Sequence, residues 1–116
     1  METHRLVITE DLNQYGSLFG GRLLSWVDEA SFIAATLEFP KCRFVTIGMD
    51  KVEFHHGVKI GAIIVIRCKL YKVGNTSVTY HVEVLDGHQD RPNVLFDTKV
   101  TFVNINEDGN NVQVER

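Results

Sequence analysis

Residues 21–37, GRLLSWVDEASFIAATL, decide the fold class, because apolar residues recur here with the period of an α-helix. Five of them follow the i, i+4, i+7 spacing of one helix face: Leu23, Val27, Ala30, Ala34 and Leu37. Pro40 ends the pattern, since proline cannot continue a helix. The small and apolar side chains share one sector of a helical wheel, so we expect this sector to face the core.

After Pro40 the pattern changes to the alternation with period 2 that is typical of β-strands. Four long segments show it: residues 44–54, 62–70, 78–84 and 94–102. The first of them loses its alternation near Asp50 and Lys51, which predicts a bulge. Residues 6–8 predict a short first strand, and turn formers cluster at residues 57–61, 74–75 and 86–92. We therefore expect one α+β domain over residues 1–116, with an antiparallel sheet of about five strands packed on one central helix.

Composition narrows the class of protein. The chain has 116 residues, of which 44% are hydrophobic and 23% charged, as in an ordinary globular domain rather than a disordered or fibrous chain. Its longest uncharged apolar run, residues 60–66, is far shorter than the ~20 residues of a membrane helix. The first residues lack the pattern of a signal peptide, so we expect a cytoplasmic location. Cys42 and Cys68 lack CxxC spacing, which favours reduced thiols.

Charge is unevenly distributed along the chain. The formal net charge of −3 argues against nucleic-acid binding, which needs a basic surface. Residues 54–82 contain no acidic residue and four basic ones: Lys59, Arg67, Lys69 and Lys72. This segment is either a local anion site or one solvated face of a strand.

Two features of the helix can carry chemistry. Gly20 and Gly21 lead into its N-terminus, where backbone N–H groups lack partners and the helix dipole favours negative charge. Asp28 lies two turns later at the margin of the apolar sector, where a carboxylate can act as a base or nucleophile. The alternative interpretation is a tight turn followed by a solvated carboxylate. Trp26 falls beside the polar residues of the opposite sector.

Residues 13–30 fit the pattern N-x-x-G-x-x-F-G-G-x-x-L-x-x-x-D-x-A. With one helix followed by four strands, this pattern resembles the hotdog-fold acyl-CoA thioesterases, in particular the broad-range acyl-CoA hydrolases. The run at residues 72–77 is similar to the K-x-G-x-[ST]-S turn of that family near the CoA nucleotide. Residues 54–61 are similar to its F-x-x-P-x-x-x-G element, except that Gly57 replaces the usual proline.

The resemblance assigns roles to single residues. It implies that Asp28 is the catalytic carboxylate, that Asn13 is its partner amide, and that the Gly21 N–H stabilises the oxyanion. It also implies that Phe19, Gly20, Gly74 and Ser77 bind substrate. We expect the acyl chain to run near Trp26 and Phe32, and the phosphates of CoA to meet Lys59, Arg67, Lys69 or Lys72.

The expected reaction is hydrolysis of an acyl-CoA to CoA and a carboxylic acid, with no cofactor apart from the CoA of the substrate. One other function stays open, a non-catalytic acyl-CoA-binding or sensing domain. A hotdog hydratase would use an Asp/His pair in a different motif, and no histidine lies near Asp28 in this helix. The histidines show no metal-ligand spacing, so we expect no metal. The resemblance also implies a homodimer with shared active sites, which can assemble further as a trimer of dimers.

Overall fold

The computed structural model describes residues 1–88 and 93–116. It contains one long helix, α1 (Gly20–Glu38), preceded by a 3₁₀ turn at Thr9–Asp11. Its strands are β1 (Glu2–Leu6), β2 (Phe44–Met49), β3 (Glu53–Phe54), β4 (Ile63–Val73), β5 (Ser77–Asp86) and β6 (Val94–Asn104). Within the described ranges, no helix is both long enough and apolar enough to cross a membrane.

The strands form one antiparallel sheet in the order β1-β4-β5-β6-β2, and the two-residue β3 also pairs with β6. Helix α1 packs against β2, β4, β5 and β6, so one face of the sheet wraps around it. The α+β prediction of one helix on about five antiparallel strands is thus confirmed. Strands β1 and β2 form the two outer edges.

Helix α1 extends the predicted segment by one residue at each end. The N–H of Phe39 closes the last turn on Ala35, and Pro40 follows. Two wheel predictions were wrong. Trp26 is only 7% exposed, because the side chain of Arg5 on β1 covers its ring. Leu37, expected in the core, is 70% exposed at the end of the helix.

Each predicted strand segment overlaps a strand, but the bounds differ and the structure has six strands rather than five. The first strand ends at Leu6 rather than spanning residues 6–8, and Val7 lies in the core, hydrogen-bonded to Gly61 and Ala62. The long segment 44–54 is divided into β2 and β3, and its register shift lies between Thr46 and Gly48 rather than near Asp50. Of the predicted turn at residues 86–92, positions 89–92 lie outside the described residues.

Candidate active site

A cleft of about 480 Å³ opens at the N-terminus of α1, between residues 13–20 and residues 54–58. Three of the predicted site residues line it: Asn13, Phe19 and Gly20. Its floor is apolar, because Leu18, Leu23 and Val58 are buried there. The cleft therefore joins an apolar surface to the start of a helix.

No side chain caps the N-terminus of α1. The N–H groups of Arg22 and Leu23 donate to the carbonyl of Phe19, whereas those of Gly20 and Gly21 have no partner among the described residues. Unpaired N–H groups at the positive end of a helix dipole bind anions or a carbonyl oxygen that gains negative charge.

Both glycines allow an aromatic ring to pack closely on the backbone. A Cβ at Gly20 would lie 3.0 Å from Cζ of Phe54, and one at Gly21 would lie 2.9 Å from Cε2 of Phe19. The rings of Phe19 and Phe54 are about half exposed. They flank the first turn of the helix and reduce its contact with water, which strengthens electrostatic interactions there.

Asp11 anchors the loop in front of the helix. Its carbonyl accepts a hydrogen bond from the N–H of Phe19 at 2.8 Å, and its buried carboxylate accepts one from the N–H of Ile8 at 3.0 Å. The guanidinium of Arg22 lies 3.4 Å from the same carboxylate. These contacts fix the direction in which the chain enters α1.

Asn13 organises the loop that forms one wall of the cleft. Its Oδ1 accepts hydrogen bonds from the N–H groups of Tyr15 at 2.9 Å and Ser17 at 3.1 Å. Its Nδ2 donates to no other group in the part of the chain that the structure describes. The amide nitrogen is thus available to a substrate, while the oxygen is used for structure. Lys59 reaches the same loop, with Nζ 2.9 Å from Oγ of Ser17.

Asp28 lies half-buried on α1, two turns beyond the glycines. Its Oδ1 accepts a hydrogen bond from the hydroxyl of Thr46 on β2 at 2.7 Å. Oδ2 has no hydrogen-bond partner among residues 1–88 and 93–116, and is therefore the oxygen that can take a proton or attack a carbon.

Sequence reasoning missed Thr46. The available signal was Gly48, because a glycine inside a strand often marks a bulge. The irregularity of β2 between Thr46 and Gly48 lies beside the contact with Asp28.

The structure separates other predicted site residues. Asp28 does not line the cleft that contains Asn13, and it lies about 12 Å further along the helix axis than Gly20. One chain therefore does not bring Asn13 and Asp28 to a common cavity.

The four basic residues do not form one anion site within a chain. Lys59 precedes β4 and Lys72 lies near its far end, so about 33 Å of strand separates the two ends. Arg67 and Lys69 lie on the face of the sheet away from α1, and Arg67 pairs with Glu2 at 3.2 Å. Gly74 and Ser77 close the hairpin beyond Lys72, where the N–H of Gly74 donates to the carbonyl of Ser77 at 2.7 Å.

Trp26 and Phe32, near which the acyl chain was expected to run, lie on different sides of α1 in a single chain. The guanidinium of Arg5 lies 4.9 Å above the buried ring of Trp26, on the β1 side of the helix. Phe32 instead contacts Phe102 of β6, with ring centroids 6.0 Å apart. Phe32 is on the same side of α1 as Asp28, whereas Trp26 is on the opposite side.

A second polar cluster lies at the C-terminal end of α1. The hydroxyl of buried Tyr80 donates to Glu38, which also pairs with Arg116 at 3.0 Å. Burial, followed by the contact with Glu38, raises the pKa of Tyr80 well above its usual range.

On the sheet itself, the imidazole of His81 on β5 lies 3.1 Å from the carboxylate of Asp97 on β6. Among the described residues, no three His, Cys, Asp or Glu side chains are grouped so that they can share a metal ion.

This chain is similar to known proteins in sequence and in structure. The profile of the thioesterase superfamily matches residues 15–92. A hexameric hotdog-fold thioesterase of Campylobacter jejuni is 36% identical, with a TM-score of 0.83 over 97% of this chain and 88% of that one. A hexameric thioesterase of Yersinia pestis is 25% identical, with a TM-score of 0.88 over 98% of this chain and 93% of that one.

Among curated proteins, the acyl-CoA thioester hydrolase YciA of Salmonella typhimurium is 32% identical over 79 residues, which cover 68% of this chain and 59% of that protein. The chain spans between 52% and 62% of the length of the bacterial relatives that it matches, and 14% of a longer mouse relative.

Proposed function

The chain belongs to the thioesterase superfamily, and on that basis we propose that it hydrolyses an acyl-CoA thioester to CoA and a carboxylic acid. Relatives named acyl-CoA thioester hydrolases support this substrate class. The observation that carries the proposal is that α1 presents an uncapped Gly20–Gly21 terminus and, about 10 Å further along its axis, the carboxylate of Asp28 that Thr46 orients, so one group from each of two copies can act on one carbonyl.

The N-terminus of α1 acts on the thioester carbonyl. The oxygen of the thioester carbonyl accepts a hydrogen bond from the N–H of Gly21 and gains negative charge as the tetrahedral intermediate forms. Donors that are already in position cost little reorganisation at that moment, so they stabilise the transition state more than the ground state. The rings of Phe19 and Phe54 keep water away from this bond.

Asp28 of a second copy supplies the other half of the chemistry, because Gly21 and Asp28 of one helix lie about 10 Å apart along its axis. It acts by one of two routes. As a base, Oδ2 takes a proton from water while the hydroxide adds to the carbonyl carbon; the intermediate then expels the CoA thiolate, which receives that proton. As a nucleophile, Oδ2 attacks the carbon, expels the thiolate and forms a mixed anhydride that water hydrolyses. In both routes Thr46 holds Oδ1 and directs Oδ2.

We propose that two copies of the chain complete each site. Asn13 and Asp28 occupy separate places in one chain, and Asn13 keeps an unused amide donor. An Asn13 loop from one copy beside the Asp28 helix of another would place that donor where water or the carbonyl needs orienting. The hexameric state named for the relatives from C. jejuni and Y. pestis supports an assembly of this kind.

The phosphates of CoA need basic partners. Lys59 beside the cleft and Lys72 at the hairpin with Gly74 and Ser77 are exposed, whereas Arg67 is already paired with Glu2. We therefore propose the exposed Lys59, Lys69 and Lys72 as the principal phosphate contacts, supplied by more than one copy because β4 separates Lys59 from Lys72, with Arg67 contributing less.

The test is thiol release from acyl-CoAs of increasing chain length, with Asp28→Asn beside the wild type. We expect Asp28→Asn to lower kcat by about a hundredfold or more while CoA binding persists, because the carboxylate acts in the transition state. The matched control is Glu29→Gln, the next residue, whose carboxylate binds Arg5 on the polar face. An Asp28→Asn variant with half of normal turnover would exclude Asp28 from the mechanism. Tight binding without turnover by the wild type would instead favour an acyl-CoA-binding domain.

A further inference from the structure

Asp11 is a buried charged residue that the proposed reaction does not use. It ends the 3₁₀ turn at Thr9–Asp11 in front of α1, and its side chain is only 10% exposed. A carboxylate is costly to bury without partners, so a residue this enclosed needs several polar contacts. Asp11 makes them with both its side chain and its main chain, and two of them lead to the start of α1.

These two contacts lie on either side of the two glycines. The carbonyl of Asp11 accepts a hydrogen bond at 2.8 Å from the N–H of Phe19, the residue just before Gly20. The carboxylate of Asp11 lies 3.4 Å from Nε of Arg22, the residue just after Gly21. The segment with the free N–H groups is therefore held at both ends by one residue.

The first turn of α1 needs support of this kind. Glycine loses more backbone freedom on folding than any other residue, and α1 begins with two glycines. No side chain in the described part of the chain caps this terminus, although a cap is what normally stabilises the start of a helix. A cap would also occupy N–H groups that a substrate carbonyl needs. Support through Arg22 leaves these groups free.

The orientation of Arg22 agrees with a supporting role. Its Nη2 donates to the carbonyl of Glu10 at 3.3 Å, so the guanidinium is turned toward the 3₁₀ turn. Arg22 is not among the residues that line the cleft. The side chain thus joins the first turn of the helix to the 3₁₀ turn.

We propose that Asp11 and Arg22 are positioning residues that hold the two free N–H groups of α1 where the thioester carbonyl gains negative charge. The inference rests on the proposed hydrolysis, because that reaction uses the N–H of Gly21. Donors stabilise an oxyanion best when they are already in place. Loss of the ion pair lets the first turn move, which weakens this hydrogen bond in the transition state.

Two variants break the ion pair from opposite sides. Asp11→Asn keeps an oxygen that can accept the N–H of Ile8, which donates to the carboxylate at 3.0 Å, and Arg22→Gln removes the guanidinium. Removing an oxyanion donor lowers kcat about a hundred- to a thousandfold, so loosening one should lower it less, by about tenfold. The dissociation constant of CoA should stay within about twofold of the wild-type value. The double variant should also lose only about tenfold, because both changes break the same contact.

The experiment combines thiol release, calorimetry with CoA, and hydrogen–deuterium exchange followed by mass spectrometry. The N–H groups of Arg22 and Leu23 donate to the carbonyl of Phe19, so they should exchange faster in both variants, while the last turn of α1 should not change. The matched control is Glu29→Gln, which breaks the ion pair with Arg5 on the same helix. It should leave kcat and exchange in the first turn unchanged.

The outcomes separate this inference from the proposed reaction. Normal kcat in folded Asp11→Asn and Arg22→Gln, losses that add in the double variant, or unchanged exchange in the first turn would each overturn the positioning role and leave the hydrolase intact. A wild type without turnover contradicts the hydrolase, and exchange in the first turn then decides about the ion pair. If Asp11→Asn fails to fold, Arg22→Gln decides the question, because Arg22 is 47% exposed.

Discussion

At the scale of single residues, the proposed chemistry depends on one hydroxyl. Thr46 donates to Oδ1 of Asp28 at 2.7 Å, and this is the contact that fixes the carboxylate across the gap between α1 and β2. A hydrogen bond to a charged group contributes about 1.5–3 kcal/mol, which corresponds to roughly ten- to a hundredfold in rate when it acts in the transition state.

Thr46→Val should therefore lower kcat about ten- to a hundredfold with little change in stability, because the residue is exposed and valine keeps its shape. Thr46→Ser should restore most of the activity, since it restores the donor. Thr101→Val is the matched control: it removes a strand hydroxyl that pairs with Thr79 at 3.0 Å on the other face of the sheet. Equal rates for Thr46→Val and the wild type in the thiol-release assay would contradict the positioning role.

Cys68 makes the free energy of unfolding depend on pH in the alkaline range. Burial raises the pKa of its thiol to about 11, although the terminal amine of Met1 nearby opposes the shift. An unfolded thiol has a pKa of about 8.5, so between about pH 8.5 and 11 the folded chain holds a proton that the unfolded chain has released. The free energy of unfolding must then fall as pH rises through this window, by at most about 1.4 kcal/mol per pH unit from this group.

Urea unfolding at pH 8, 9 and 10 measures how steeply the free energy of unfolding falls with pH. At higher pH the phenol of Tyr80 would add its own contribution to this fall. We expect Cys68→Ala to be somewhat less stable at pH 8 but to have a flatter pH dependence than the wild type, because alanine has no proton to lose. Cys42→Ala is the control, as Cys42 is only partly buried. Parallel curves for the wild type and Cys68→Ala would show that the thiol makes no such contribution.

At the scale of elements, helix α1 was predictable and the edges of the sheet were not. The repeat of small residues and the stop at Pro40 define the helix locally, within its own sequence. The ends of β1 and β2 depend on partners far along the chain: Leu6 pairs with Ile63, and Phe44 pairs with Asn104. The apolar run at residues 6–8 therefore gave a wrong position for the first strand, because only Val7 is buried there.

The site shows the same division between local and distant information. Gly20, Gly21 and Asp28 lie on one helix, so their relation follows from helix geometry. Thr46 reaches Asp28 only through the packing of β2 on α1, and the basic residues of β4 separate because a strand is long and alternates its faces. Tertiary contacts of this kind leave no periodic signal in the sequence.

The β2 edge is the element most suited to meet a second copy. It is a terminal strand of the sheet, and its side chains are largely exposed, including Ile47 at 61%. Phe32, on the side of the neighbouring helix that carries Asp28, is exposed as well. Unpaired edges with apolar side chains tend to associate, and a charge on such an edge opposes pairing.

Ile47→Lys should therefore dissociate the assembly, because it places a charge in the interface that we propose. Leu6→Lys on β1 is the matched control, since Leu6 is 55% exposed on the opposite edge of the same sheet. Sedimentation velocity should show a lower mass for Ile47→Lys alone, with circular dichroism unchanged for both variants. A lower mass for Leu6→Lys alone would place the interface at the other edge.

At the scale of the whole molecule, three of the predicted site residues lie far apart: Asn13 in the cleft, Asp28 in the middle of α1, and Lys72 at the distant hairpin. A thioester carbonyl is one small group, so all residues that act on it must lie close to it. Within one chain, the cleft and Asp28 do not share a cavity. A second copy of the chain can supply the missing half of each site.

Mixing two inactive variants tests whether two copies of the chain form each site. Asn13→Asp keeps the acceptor that binds the N–H groups of Tyr15 and Ser17 but removes the amide donor, so the loop retains its shape. Asp28→Asn removes the carboxylate from the other half. In a mixed dimer, one site contains Asn13 and Asp28 intact and the other lacks both. Random pairing makes about half of the dimers mixed, each with one good site of two, so roughly a quarter of wild-type activity should return. If mass spectrometry shows that the subunits have exchanged and no activity returns, both residues act within one chain.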